Sequence, residues 1–188
     1  EVGLIGRDGM VGIPLVLGHD MSLIRALVQG EGSAMRMGAK PFLREFRLSP
    51  PLQRETYRYT YALMAQISQT AACNRFHVVE QRLARWLLMT QDRVKSDNFC
   101  MTQEFLGHML GVRRVGVTKA AQALQKRKLI NYSRGAITIL SRKGLEAASC
   151  ECYEVVRREY KRLLSPHIQG EVLLRTALSK MASRPVSV

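Results

Sequence analysis

Leu52, Thr56, Tyr59, Leu63, Ile67, Thr70 and Cys73 or Asn74 recur at steps of three and four. That spacing is one stripe of an α-helix. It predicts a long helix over roughly 51–74, entered through the break Ser49-Pro50-Pro51. The stripe runs for about three heptads and mixes Thr and Tyr with its aliphatic positions. Such a stripe either packs on residues 1–48 or pairs with its own copy. Pairing through Leu52, Tyr59, Leu63 and Ile67 is the expected use. A second helix is predicted over His77–Val94, with Val79, Leu83, Trp86 and Leu87 turned inward and Arg82, Arg85 and Arg93 turned to water. Upstream, Val2–Ile5, Ile13–Leu17 and Leu23–Gln29 are apolar runs of strand length separated by glycines. They read as short strands and turns. Gly3, Gly6, Gly9 and Gly12 fall every third residue, but no helix pattern follows, so they are not a dinucleotide-binding loop. Ala39–Leu48 reads as a short helix with Phe42, Leu43 and Phe46 on one face, and 95–98 as a loop.

The pattern changes character after residue 101. Thr102 is a good N-cap, with Gln103 and Glu104 in the first turn of a short helix and Gly111 as its stop. Gly107 stands on that helix where a second backbone can come close. A further helix is expected from Arg113 or Arg114 to about Lys128, with Val117, Ala120, Ala121 and Leu124 on its apolar side. Arg114, Thr118 and Gln122 lie on another side at steps of four, flanked by Val115 and Lys119. Short helix, glycine turn and second helix form a helix-turn-helix pattern. Residues 112–130 contain no Asp or Glu, whereas a merely solvated helix interleaves acids with bases. Arg reads guanine edges, Gln reads adenine, and Lys also neutralises phosphate. Beyond, 131–140 alternates Ile and Thr around Arg134-Gly135, which predicts a hairpin with Arg134 at its tip. A helix-turn-helix followed by a hairpin is a winged helix.

Composition agrees with a polyanionic partner. The chain has 188 residues, with 29 Lys and Arg against 15 Asp and Glu, a net charge of +14. The excess is not spread evenly: residues 1–74 are nearly balanced, and most of the surplus lies beyond them. With 46% hydrophobic residues the chain can bury a core. No apolar run reaches the length of a membrane span, and no secretory signal opens the sequence. Four cysteines are too few for a disulfide scaffold, so reduced thiols in a cytoplasmic protein are expected. Cys150 and Cys152 invite a metal reading. They lie in 145–164, which reads as one helix, and residues two apart on a helix point about 200° from each other, so no metal site is expected there. His19, His77, His108 and His167 are scattered. No nucleophile elbow, phosphate loop or carboxylate pair is present, so neither a catalytic residue nor a cofactor is expected.

Residues 75–164 resemble the DNA-binding half of the Crp/Fnr superfamily of bacterial transcription regulators. The resemblance is carried by Met101–Lys119, by the following Leu-Gln-Lys-Arg-Lys-Leu-Ile, and by the wing Arg-Gly-Ala-Ile-Thr-Ile-Leu. It implies an α+β chain: a partial cyclic-nucleotide-binding-like β-roll over 1–48, a dimerisation helix over 49–74, a winged helix-turn-helix over 75–164 and a C-terminal tail over 165–188, part of 171–182 helical and its end loose. The resemblance also implies that the roll begins midway. The implied activity is sequence-specific regulation by a homodimer bound to double-stranded DNA at inverted repeats, with RNA polymerase as a further candidate partner and no membrane involved. The alternative is a non-specific or architectural nucleic-acid binder. The expected DNA contacts are Thr102, Arg113, Arg114, Gly116, Thr118, Lys119, Gln122 and Arg134. Arg114 falls on the family's groove-reading Arg, Lys119 replaces a second Arg, and Val115 replaces a Glu that would accept from cytosine N4. Gly12 is followed by Ile13 where the family's ribose-binding Glu would stand, and Arg25-Ala26 lacks the hydroxyl residue of that motif, so no cyclic nucleotide is expected. The N-terminal cysteine cluster of an iron–sulfur version is missing from these residues.

Overall fold

The computed structural model describes residues 1–164 and the strand at 183–187. The predicted helix within 171–182 lies outside the described residues. The fold is α+β, mostly helical, with one two-stranded and one three-stranded sheet among the described residues. It divides into two compact units, one of Glu1–Arg7 with Leu63–Glu159, the other of Asp8–Ala62 with the chain from Tyr160 onward.

The second of these contains α1 (Ile13–Val16), β1 (Ser33–Arg36), α2 (Ala39–Leu48) and the first half of α3 (Pro50–Phe76). Helix α2 has the bounds its pattern predicts. Phe46 is buried between Phe42, with ring centroids 5.9 Å apart, and Tyr57, edge-on at 5.6 Å. Gln53 Nε2 donates to the Phe46 carbonyl at 2.7 Å, tying the end of α2 to the start of α3. Three predicted strands differ. Ile13–Val16 is a helical turn with Pro14 at its start, and Val2–Ile5 and Leu23–Gln29 are not strands. A strand exists only where a neighbour supplies its hydrogen bonds, and an apolar run carries no record of a neighbour. Leu23, Ile24, Leu27 and Val28 are exposed. Strand β1 pairs antiparallel with β5 (Ser183–Ser187), Ala34 opposite Val186, so these last residues are a paired strand where a loose end was expected.

The first unit is built around α4 (Val79–Val94), whose residues 82–91 are all buried. Against it pack α5 (Gln103–Leu110), α6 (Arg114–Lys126) and α7 (Arg142–Ala148). Leu83, Trp86, Leu87 and Leu88 meet a core shared with Leu106, Val117, Leu124, Ile137 and Leu145. Arg82 and Arg85, expected in water, are only 7% and 3% exposed. A helix surrounded on every side leaves its polar residues no water-facing stripe. Arg82 Nη2 donates instead to the carbonyl of Leu110, at the end of α5, and Arg85 Nη1 to Thr70 Oγ1 at 3.3 Å. Arg93, also expected in water, is half-buried and bonds the Leu4 carbonyl at 3.0 Å and Gln66 Oε1 at 2.9 Å.

Helix α3 is longer than its stripe predicts by a residue or two at each end. Tyr59 is buried, and Leu52, Leu63 and Ile67 are half-buried. Leu63 and Ile67 lie beside Gly3 of the same chain. The open side of α3 instead presents Tyr57, Tyr61 and Met64, each more than half exposed.

The predicted helix over 145–164 is two helices. Helix α7 ends at Ala148, and α8 (Cys152–Leu164) starts after the link Ser149-Cys150-Glu151. Arg142, at the start of α7, holds this corner together. It contacts Asp92 at 2.8 Å, Glu146 at 3.1 Å and Gln91 Oε1 at 2.7 Å, and also bonds the Tyr153 hydroxyl. The Tyr153 hydroxyl donates to Asp92 at 2.8 Å, and burial raises its pKa, so it stays a neutral donor. Arg142→Ala removes the donor from four acceptors in a half-buried network, and the expected loss is about 1–3 kcal/mol. Urea unfolding followed by circular dichroism measures it; an unchanged midpoint means that the network does not stabilise the fold.

Candidate nucleic-acid interface

The helix-turn-helix forms from its local chemistry. Thr102 is an N-cap whose hydroxyl accepts from Phe105 N–H at 3.1 Å, satisfying one of the free donors at the start of α5. Gly111 ends the helix at φ 63° and ψ 40°, a left-handed conformation that suits glycine. The chain turns so tightly that Val112 N–H bonds the Gly107 carbonyl at 2.9 Å. A methyl group on Gly107 would lie 3.0 Å from the Val112 carbonyl oxygen. The close approach expected at Gly107 is therefore the turn itself folding back on α5.

Helix α6 sorts its residues as its period predicts. Val117, Ala120, Ala121 and Leu124 are buried, while Arg113, Arg114, Val115, Lys119 and Gln122 are exposed. Arg113 sits in extended backbone just before the helix and Arg114 opens it. Thr118 is half-buried. Its hydroxyl faces Gln103 Oε1 at 2.8 Å and the Arg114 carbonyl at 3.1 Å, so its one proton serves the protein. That leaves Thr118 to accept, or to position Gln103. A methyl group on Gly116 would meet only the Val112 side chain among the described residues, at 3.9 Å.

Strands β3 (Ile130–Ser133) and β4 (Ala136–Ile139) form the predicted hairpin, with Tyr132 opposite Ile137. Arg134 and Gly135 have φ of 49° and 87°. Positive φ at both central residues is the tight hairpin turn whose twist matches that of its strands. Asn98–Cys100 adds a third strand, β2, beside β4, where a loop was expected at its first residue. Three residues are too few for periodicity to reveal. The tip is anchored: Met101 N–H bonds the Gly135 carbonyl at 2.7 Å, and the Tyr132 hydroxyl donates to the Met101 carbonyl at 2.7 Å. Burial raises the Tyr132 pKa, with the Arg114 charge opposing it, so the hydroxyl remains protonated and donating.

These parts meet around a cleft of about 380 Å³ lined by Thr102, Gln103, Glu104, Arg114, Tyr132, Arg134 and Gly135. Two arginines and the N-terminus of α5 converge on it. Free N–H groups and guanidinium forks are what a phosphate requires. Glu104 is the one acid on the lining. Gln103 and Tyr132 are not among the expected DNA contacts, because their parts depend on contacts with Thr118 and Met101 across elements. The thiols, of which Cys150 and Cys152 were expected to form no metal site, are brought together: Cys73, Cys150 and Cys152 form one buried cluster, with His77 beside it.

Residues 81–148 match the Crp-like helix-turn-helix domain family. Both helices, the turn and the wing described above fall inside that span. Among solved structures, the chain is similar to a protein of Eubacterium rectale assigned to the Crp/Fnr family of transcriptional regulators. The identity is 24% and the TM-score 0.47, over 58% of this chain and 51% of that one. The match thus spans about half of that protein's length. A comparison with curated proteins gives no match.

The two helix glycines have opposite expected behaviour. Gly107→Ala presses a methyl group on backbone that cannot swing away, and a loss of about 1–3 kcal/mol is expected. Gly116→Ala has room and gains helix propensity, so a gain of about 0.5–1 kcal/mol is expected. Thermal or urea unfolding of both variants distinguishes them; a stable Gly107→Ala protein contradicts the packing at the turn.

Proposed function

We propose that the chain is a sequence-specific DNA-binding transcription regulator of the Crp/Fnr type, acting as a homodimer on inverted-repeat operators. The observation that carries this reading is the exposed, acid-free face of α6 standing beside the Arg134 turn within a Crp-like domain. In it, α6 enters the major groove, and Arg114, Lys119 and Gln122 approach base edges. Arg113, Arg134 and the amide end of α5 at Thr102 hold phosphates, and Gly116 lets the backbone come close to the duplex. Val115, 59% exposed on the groove side, suits a thymine methyl group in place of the cytosine that a glutamate would select. The exposed Tyr57, Tyr61 and Met64 support pairing through α3, alongside the parts of Leu52, Leu63 and Ile67 left open. Among the described residues no helix is long and apolar enough to cross a membrane.

Selection from random DNA is expected to return an inverted repeat with half-sites about 10–10.5 bp apart, centre to centre. On that operator Arg114→Ala should cost about 1–3 kcal/mol and relax one base position per half-site. Arg134→Asn keeps the turn, because Asn tolerates positive φ. It should weaken all DNA alike and lower the salt slope by about one unit. Val115→Glu should shift preference toward cytosine at one position. If selection gives no repeat and the arginine variants behave identically, the non-specific architectural reading takes its place.

The paired prediction for assembly is that Tyr61→Glu with Met64→Glu gives monomers in sedimentation, with helical content unchanged. A dimer in that double variant removes α3 as the pairing element.

A further inference from the structure

Four side chains that DNA reading does not use converge at the end of α3. Cys73 and His77 are one helical turn apart, and the turn persists because His77 N–H bonds the Cys73 carbonyl at 3.1 Å. From the other side come Cys150, in the link between α7 and α8, and Cys152, the first residue of α8. The break between those helices is what turns the two thiols toward one point. Cys73 Sγ lies 3.5 Å from Cys150 Sγ, and Cys152 Sγ lies 3.4 Å from His77 Nδ1. The four ligand atoms all lie within 4.8 Å of one another.

We propose that Cys73, His77, Cys150 and Cys152 form a structural site for one thiolate-preferring divalent ion, with zinc as the expected occupant. Zn–S bonds of about 2.3 Å and Zn–N bonds of about 2.0–2.1 Å in a tetrahedron give ligand separations of roughly 3.5–3.8 Å. Both close pairs match those edges, and small shifts bring the rest into line. Three sulfurs and one imidazole nitrogen form a closed set of the structural kind, with no position left for water.

The surroundings are those a metal centre needs. His77 presents Nδ1 to the sulfurs, and its Nε2 faces the Glu151 carboxylate at 3.1 Å. A carboxylate behind the distal nitrogen fixes the ring and its tautomer. Gln69 Nε2 donates to Cys152 Sγ at 3.1 Å, a bond suited to a thiolate. Charge balance supplies an independent argument. Arg82 and Arg85 are buried close enough for their charges to act on the Cys73 sulfur, and among the described residues Nε of each has no hydrogen-bond partner. Among the described residues neither forms an ion pair with a carboxylate. Buried cations require compensation. Zn²⁺ with three thiolates and a neutral imidazole carries a net charge of −1, formed as three thiol protons pass to solvent. A disulfide between Cys73 and Cys150 would leave Cys152, His77 and the arginines without a common purpose.

The test needs no DNA and stands apart from the regulator reading. The full chain, purified under reducing conditions, should carry or take up one zinc per chain by mass spectrometry of the metal. After chelation, Co²⁺ should give the intense visible bands of a tetrahedral thiolate site. Cys152→Ser and His77→Ala should lose those bands, and Cys100→Ser, on the exposed fourth cysteine, should keep them. In the unaltered chain, zinc should slow alkylation of Cys73, Cys150 and Cys152 at least about 10-fold relative to chelated protein and leave Cys100 reactive. That measurement is independent of whether a variant folds. An octahedral cobalt spectrum, alkylation rates insensitive to zinc, or a Cys73–Cys150 disulfide in freshly reduced and re-equilibrated protein would overturn the proposal.

Discussion

Ten consecutive residues of α4, Arg82 to Gln91, are removed from solvent, and a helix wrapped on all sides must satisfy whatever polar groups it carries. Leu83, Trp86, Leu87 and Leu88 fill the space between α5, α6 and α7. Arg82 reaches the last carbonyl of α5, where the helix dipole favours a cation. One buried guanidinium thereby links the central helix to the end of the helix that precedes the turn. The angle at which α6 leaves that turn depends on this packing. The exposed face of α6 is an outcome of how α4 is buried.

The interface joins precision to ordinary local devices. A threonine cap, a left-handed glycine and a two-residue hairpin turn place Arg114 and Arg134 on the lining of one cleft. Each device acts over three or four residues, and each is held by a contact from farther away. Met101 bonds Gly135, Tyr132 bonds Met101, and Thr118 bonds Gln103. The charged groups therefore stand on rigid elements, which would lower the conformational cost of meeting the duplex proposed as their partner.

The sulfur cluster shares its neighbours with that scaffold. Arg82 donates to the Leu110 carbonyl, and its charge also acts on Cys73 and Cys150. An ion bound by Cys73, His77, Cys150 and Cys152 would fasten the last turn of α3 to the α7–α8 corner, which Arg142 already braces through Asp92 and Tyr153.

Much of this protein was legible from local pattern. The bounds of α2, the long α3, the caps at Thr102 and Gly111, the inward and outward faces of α6 and the Arg134-Gly135 hairpin all follow from period, capping and turn chemistry. Those signals act over a few residues, and the sequence by itself determined them. It also determined that the chain is basic and that the face of α6 has no acid. Tertiary structure decided the rest. Whether Val2–Ile5 or Leu23–Gln29 becomes a strand depends on a partner that no local run encodes. Whether Arg82 and Arg85 meet water depends on how many elements surround α4. Cys150 and Cys152 point to one place because the chain breaks between α7 and α8, and Cys73 and His77 join them from a helix more than seventy residues away. Periodicity reports which way a side chain faces from its own helix, and only packing decides what it faces.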